Sequence, residues 1–255
     1  MENTSSQHTS KLHSTNKVFV LVHGAWSAPF VWEMVKENLS EYGNPVWAIQ
    51  LPGHGSDHTD PKLLHMDSYI KFVSDRIEKT GEKVILVGHS FAGVIISGVA
   101  ERIPELIEKL VFVAAYVPQN GQSAYAISSL DKQSLLGASL LVSDDHSGFD
   151  IKKEDIINIF CQDGSDDVQQ LILDHYKSEP AAPFADEVVL SEERFGKVAK
   201  YYVETSRDHG IGNKLQKEMI AAAKIKHVYE LNAGHTPQLS RPRELSDILL
   251  KIGRL

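Results

Sequence analysis

Six short, nearly uninterrupted apolar runs with helical patterns between them constrain this chain more than any other feature. They are Val18 to Val22, Val46 to Ile49, Val84 to Val87, Leu110 to Ala114, Val198 to Val203 and His227 to Leu231. A strand apolar at successive positions, not at alternate ones, must be covered on both faces, as in a parallel sheet flanked by helices. Helical stripes supply the covers. Phe30, Val31, Met34, Val35, Leu39 and Tyr42 form one, and Tyr69, Ile70, Val73 and Ile77 form another that Gly81 closes as a C-cap. Leu215, Met219 and Ile220 mark a third, and Leu245, Ile248, Leu249 and Ile252 follow Ser240 and Pro242 at the end. Alternation on this scale predicts an α/β sheet with right-handed crossovers.

With 255 residues the chain can bury a full core, and one domain with an excursion is expected. The excursion is residues 118–197, polar and acidic, with weak helical pieces at Ile156 to Phe160 and Val168 to Tyr176 and then the stretch EPAAPF. Eighty residues without a sheet strand are too many for a plain connection, so this segment reads as a cap over one end of the sheet. The core is then 17–117 and 198–255. Residues 1–16, rich in Ser, Thr, Asn, Gln and His and lacking an apolar signal-peptide core, read as a disordered tail.

Composition excludes several function classes. Net charge is −8 with no Lys/Arg cluster, so the electrostatic footprint for nucleic-acid phosphates is missing. No apolar run is long enough to span a membrane. The single cysteine, Cys161, forbids an intrachain disulfide and fits a reducing, cytoplasmic setting; with no base beside it, it reads as structural. Metal-ligand spacings are missing from the sequence, and Gly53-His54-Gly55 is not a dinucleotide fingerprint, so neither metal nor cofactor is expected.

The chemistry is expected at KVILVGHSFAG, Lys83 to Gly93. Here a buried strand breaks into a helix with Ser90 at the apex, on a turn tight enough that its neighbours two residues away must lack bulk; Gly88 and Ala92 do. A serine hydroxyl needs a base, and the base an orienting acid. Asp208 in the loop after VAKYYVET and His235 in the loop after HVYELN lie where a wound sheet gathers its ligands, and the order Ser90, Asp208, His235 suits a nucleophile elbow. Glu204 competes as the acid, but it lies within the strand; the bland reading of Asp208 is an Asx-turn. Of the other histidines, His8 and His13 fall in the tail, His54 and His58 read as a solvent-facing turn, His23 as a hydrogen-bonded structural residue, and His89 as pointing away from Ser90. His209 reads as incidental. Backbone N–H groups of Phe91 and Ala25 are the expected oxyanion donors, with Gly24 allowing close approach and Trp26 a candidate pocket wall.

Six segments in order, FVLVHGAWSAPFVWEMV, LPGHGSD, VILVGHSFAG, KLVFVAAYVPQNGQS, YYVETSRDHGI and AGHTPQLSRPRELSDILL, resemble the compact α/β-hydrolase group that holds plant methyl-salicylate-type esterases, hydroxynitrile lyases and bacterial pyrethroid-type esterases. The resemblance implies the α/β-hydrolase fold, a mostly parallel sheet of about six strands with helices on both faces, and a small helical cap. It implies a triad of Ser90, Asp208 (in a T-x-x-D-x-x-I segment) and His235, with Ala25 and Phe91 as oxyanion donors. Lyases of the group are similar in carrying lysine directly after the triad histidine and threonine after the first-strand histidine; this chain has Thr236 and Gly24. Hydrolysis of a small or aromatic carboxylic ester through an acyl-enzyme is therefore expected. The alternatives are a lyase or C–C hydrolase with the same triad, and a non-enzymatic small-molecule receptor. The partner is a small-molecule ester, and homodimerisation stays open.

Overall fold

The computed structural model describes residues 16–255, so the tail read over residues 1–16 lies, apart from Asn16, outside the described residues. Nine strands follow in chain order: β1 (Val18–Val22), β2 (Val46–Ile49), β3 (Val84–His89), β4 (Ile107–Val113), β5 (Leu140–Val142), β6 (Gly148–Ile151), β7 (Glu179–Pro180), β8 (Ala199–Thr205) and β9 (His227–Leu231). Six of them form one parallel sheet in the order β2-β1-β3-β4-β8-β9. The run-based expectation holds best at the centre, where every residue of β1 and β3 is buried. At the edge, only Leu231 of β9 is buried, because an edge strand has a neighbour on one side alone. β4 begins three residues before its apolar run. Its early residue Lys109 is buried with Nζ donating to the Ile252 carbonyl at 2.8 Å, so a charge conceals a core position in the sequence.

Helices Glu33–Glu41, Met66–Glu78, Ala92–Arg102, Asn213–Ala222 and Pro242–Arg254 cover the sheet. The first ends before Tyr42, which is 58% exposed and so does not join the buried stripe in which it was expected. Helix Ala92–Arg102 is buried from Ala92 through Ala100, consistent with its lack of polar faces. Each fully buried Val, Leu or Ile of this layer contributes roughly 1.5–3 kcal/mol of transfer free energy, which anchors the turn in front of the helix.

Between β4 and β8 lie five short helices, Ala124–Ser128, Leu136–Ser139, Ile156–Phe160, Asp166–His175 and Ala182–Ala185. They make up the small helical cap that was expected, joined by an antiparallel sheet of order β5-β6-β7 that the expectation did not include. Strands this short carry too few residues for a period-two signal. Pro180 conceals β7 further, and it is admissible there because β7 is an edge.

The sheet order reverses at β1, which has β2 on one side and β3 on the other. Val22 pairs with Gly88, so the loops leaving β1 and β3 emerge side by side at the carboxyl end of the sheet.

Candidate active site

Ser90 occupies that end with φ +55, a left-handed conformation disfavoured for a residue with a side chain. The strain is held by backbone bonds on both sides. Ser90 N–H donates to the Val113 carbonyl (3.2 Å), and its own carbonyl accepts from Gly93 (3.0 Å) and Tyr116 (3.1 Å). Space is as tight as the sequence demands: a Cβ at Gly88 would stand 2.9 Å from Ile96, and one at Gly24 would stand 2.9 Å from the Ser90 Cβ.

The expected partners converge. His235 Nε2 lies 2.9 Å from Ser90 Oγ, and its Nδ1 lies 2.9 and 3.0 Å from the two Asp208 oxygens. An ionised carboxylate has no proton to give, so His235 Nδ1–H donates to it, leaving Nε2 to accept the serine proton. Asp208 is itself fixed: its Oδ1 accepts from Gly210 N–H (2.7 Å) and Ile211 N–H (2.8 Å), its Oδ2 from Thr205 Oγ1 (2.8 Å) and Gln216 Nε2 (3.2 Å). The turn and triad readings of Asp208 are thus not alternatives, since the bond to Gly210 is an Asx-turn that aims the carboxylate. Glu204 is otherwise occupied, accepting from Asn213 Nδ2 and pairing with Lys217. Gln216 carried no sequence signal, whereas Thr205 is the threonine of the T-x-x-D segment.

The N–H groups of Ala25 and Phe91 donate to no protein acceptor among the described residues. The peptide plane that carries the Ala25 N–H also carries the Gly24 carbonyl, and His23 Nδ1–H donates to that carbonyl at 2.8 Å. His23 Nε2 in turn accepts from Leu51 N–H (3.2 Å), which fixes the neutral tautomer. His23 is fully buried, and burial, with the nearby His54 charge, lowers its pKa to about 3. His89 is lowered too, chiefly by burial; its Nε2–H donates to the His235 carbonyl (2.7 Å), away from Ser90 as expected.

These two imidazoles set an acid limit. Between 6.5 and about 3 the unfolded chain binds a proton at His23 that the folded chain does not, so stability rises with pH across that window. From pH 7 to 5 the unfolding free energy in urea falls by about 2 kcal/mol for His23 at ~1.4 kcal/mol per unit, and His89 adds a loss of the same sign. An unchanged value at pH 5 would show that these rings take up protons inside the fold.

One histidine departs from expectation. His54 is not in a solvent-facing turn: it is 1% exposed, with Nε2 2.8 Å from Oε2 of Glu179, a buried residue of the cap strand β7. Gly-rich polarity around it reads as a surface loop only as long as the cap carboxylate, 125 residues away, is out of view.

Trp26 forms a wall, as considered for it. Its φ is +54, its indole N–H donates to the Phe149 carbonyl (2.9 Å), and its ring is 5.7 Å from both Phe160 and Phe184. On one side is a cavity of about 30 Å³ bordered by Ala25, His89, Phe160, Tyr176, His235 and Thr236. On the other, a cap cavity of about 340 Å³ is lined by Tyr125, Ser128, Leu136, Leu140, Phe149 and Phe184 among others. Trp26 lines both cavities, and of the triad side chains only His235 borders either, in the smaller one. Depressions of about 470 and 700 Å³, over β2 and beside β8 and β9, share no lining residue with that small cavity. Cys161 is fully buried, and burial, with the Asp163 charge, pushes its thiol up to about 12, so it is no nucleophile. Among the described residues no helix is long and apolar enough to cross a membrane.

Comparison with known proteins agrees with this architecture. "Putative methylesterase 11, chloroplastic" of Arabidopsis thaliana is 35% identical over 250 residues, 93% of this chain; the chain spans 64% of that relative's length. Methylesterase 7 of the same plant is 29% identical over 262 residues, covering 94% of this chain and 97% of the relative. The crystal structure of polyneuridine aldehyde esterase superposes with a TM-score of 0.82 at 24% identity, covering 93% of this chain and 99% of that one. The family model described as "Alpha/beta hydrolase family" matches residues 19–248, and with the sheet order and the elbow above it, the chain belongs to that family.

Proposed function

We propose that the protein is a serine carboxylesterase needing no cofactor, with Ser90 as nucleophile, His235 as general base and Asp208 as its orienting acid. The observation that carries this reading is the unbroken hydrogen-bonded chain from Ser90 Oγ through His235 to Asp208. Ser90 Oγ attacks the ester carbonyl while His235 Nε2 takes its proton, and the N–H groups of Ala25 and Phe91 receive the oxyanion. His235 then protonates the departing alcohol, and water cleaves the acyl-enzyme by the same steps. Nucleophile, base and oxyanion donors all come from the chain itself.

Cavity sizes indicate how the ester is divided. About 30 Å³ beside His235 holds one or two water-sized groups, which suits a methoxy or another small alcohol. The cap cavity, aromatic and aliphatic with serine hydroxyls, the Asp131 carboxylate and no lysine or arginine, suits an uncharged acyl group that enters past Trp26. Relatives named methylesterases support the small alcohol side of this division. The cyanohydrin-lyase alternative is disfavoured because no cation borders the small cavity among the described residues, and the Thr236 hydroxyl is committed to the Phe160 carbonyl at 2.7 Å.

A panel of esters varying acid and alcohol independently tests this reading. For one aromatic acid, kcat/KM falls at least about tenfold from the methyl to the benzyl ester, a steric loss of about 1–3 kcal/mol. Equal turnover of both alcohols, or cyanide release from a cyanohydrin faster than ester cleavage, would sink it. The cytoplasm is the proposed compartment; a relative named chloroplastic makes the plastid its competitor, and fractionation of the source cells decides.

A further inference from the structure

Beside the triad lies a buried charged pair that the reaction does not use. Glu179 and His54 have side chains 0% and 1% exposed, and they join three segments distant in sequence. Glu179 comes from the cap strand β7, His54 from the loop after β2, and Glu179 Oε2 also accepts the Trp26 N–H at 2.8 Å from the loop after β1. Both His54 nitrogens face acceptors: Nε2–H donates to Glu179 and Nδ1–H to the Pro52 carbonyl (3.0 Å), so the ring is an imidazolium. Burial disfavours that charge, but the Glu179 carboxylate outweighs it and raises the His54 pKa. The other groups facing the pair are His23, with its ring 4.9 Å from that of His54, Tyr69 at 5.8 Å, Lys177 and Tyr176 on the cap, and Asp57, whose charge acts on Tyr69.

A buried ion pair is weak evidence for stability, because apolar residues of equal volume usually serve as well. Its position is more telling. Trp26 directly follows the oxyanion donor Ala25, and the two peptide planes around Ala25 are each held by one hydrogen bond. His23 holds the Gly24–Ala25 plane through the Gly24 carbonyl, and Glu179 holds the Ala25–Trp26 plane through the Trp26 N–H. The second clamp also keeps Trp26 at its positive φ. A carboxylate so near a developing oxyanion would oppose it, unless a cation neutralises that carboxylate. Glu179 Oε1 has no partner among the described residues, which leaves His54 as the neutralising group.

We propose that Glu179 of the cap is a positioning residue for the oxyanion donor Ala25, with His54 as its obligatory counter-charge, so that the cap helps to build the oxyanion site. This rests on the esterase reading above. It makes the cap more than a lid over the substrate.

The 255-residue chain is compared with His54→Gln, Glu179→Gln and the double variant on the methyl ester of an aromatic acid, beside Ser90→Ala to show that turnover comes from Ser90. His54→Gln leaves a lone carboxylate and lowers kcat at least about tenfold with KM within about threefold, a fraction of the 10²–10³ of a removed oxyanion donor. The double variant, neutral at both positions, regains most of that kcat. Wild-type kcat falls at alkaline pH as His54 loses its proton, and this limb is missing from the double variant. Additive losses in the double variant, an effect confined to KM or melting temperature, or an alkaline limb shared by both proteins overturns the proposal. If the wild type hydrolyses no ester, the esterase reading fails, and ¹⁵N NMR of the whole chain still decides the present one. The expected spectrum shows His54 mainly as imidazolium at pH 7 and an Ala25 amide displaced in His54→Gln. A neutral His54 or an unmoved Ala25 amide overturns it.

Discussion

Ser90→Ala removes all but a trace of ester hydrolysis, with kcat lower by about 10⁴–10⁶ and the fold intact. Size follows from the chemistry: without Oγ no acyl-enzyme forms, and the residual rate comes from binding and the oxyanion donors alone. Stopped-flow turnover and mass spectrometry of the quenched enzyme measure it; the acyl adduct on Ser90 disappears together with the rate. A companion variant separates strain from chemistry. At φ +55 alanine is as strained as serine, whereas Ser90→Gly relieves about 1 kcal/mol and melts higher while staying inactive. Ester turnover that survived Ser90→Ala would remove the serine mechanism altogether.

Asp208→Asn costs about 10⁴ in kcat, although the two side chains have nearly the same shape. The Gly210 and Ile211 N–H groups must still be met by the side-chain oxygen, which puts the new NH₂ in the place of Oδ2, 3.0 Å from His235 Nδ1. That NH₂ donates, so Nδ1 becomes an acceptor and the proton moves to Nε2, where it blocks transfer from Ser90. ¹⁵N shifts of the His235 ring report the exchanged tautomer. Glu204→Gln is the control, because Glu204 bonds to Asn213 and Lys217 and not to the imidazole; kcat stays within about threefold, as for a partly solvated pair. A loss under tenfold in Asp208→Asn, or a larger one in Glu204→Gln, would move the acid to Glu204.

Both substitutions act on groups that were legible in the chain before their geometry was known. Ser90 announces itself through a purely local conflict, a hydroxyl on a strained turn between a buried strand and a buried helix. Asp208 and His235 are marked by the strands that precede them, because in a wound sheet the carboxyl ends are where loops meet. His54 was misread for the opposite reason. Glycine, histidine, serine and aspartate in a row carry the polarity of a surface loop, and only a carboxylate from a distant, two-residue strand turns that polarity inward.

The core strands, their covering helices and the elbow were determined by the sequence alone, since burial on both faces writes itself into successive apolar residues and a tight turn excludes bulk nearby. Tertiary structure alone decided the cap sheet, the clamp on Asp208 by Gln216 and the His54–Glu179 pair reaching Ala25. Each of these depends on polar groups far apart in the chain, whose burial is tolerable only once the partner has arrived. Hydrophobic patterning records what leaves water, but it does not record which buried polar group will find which other.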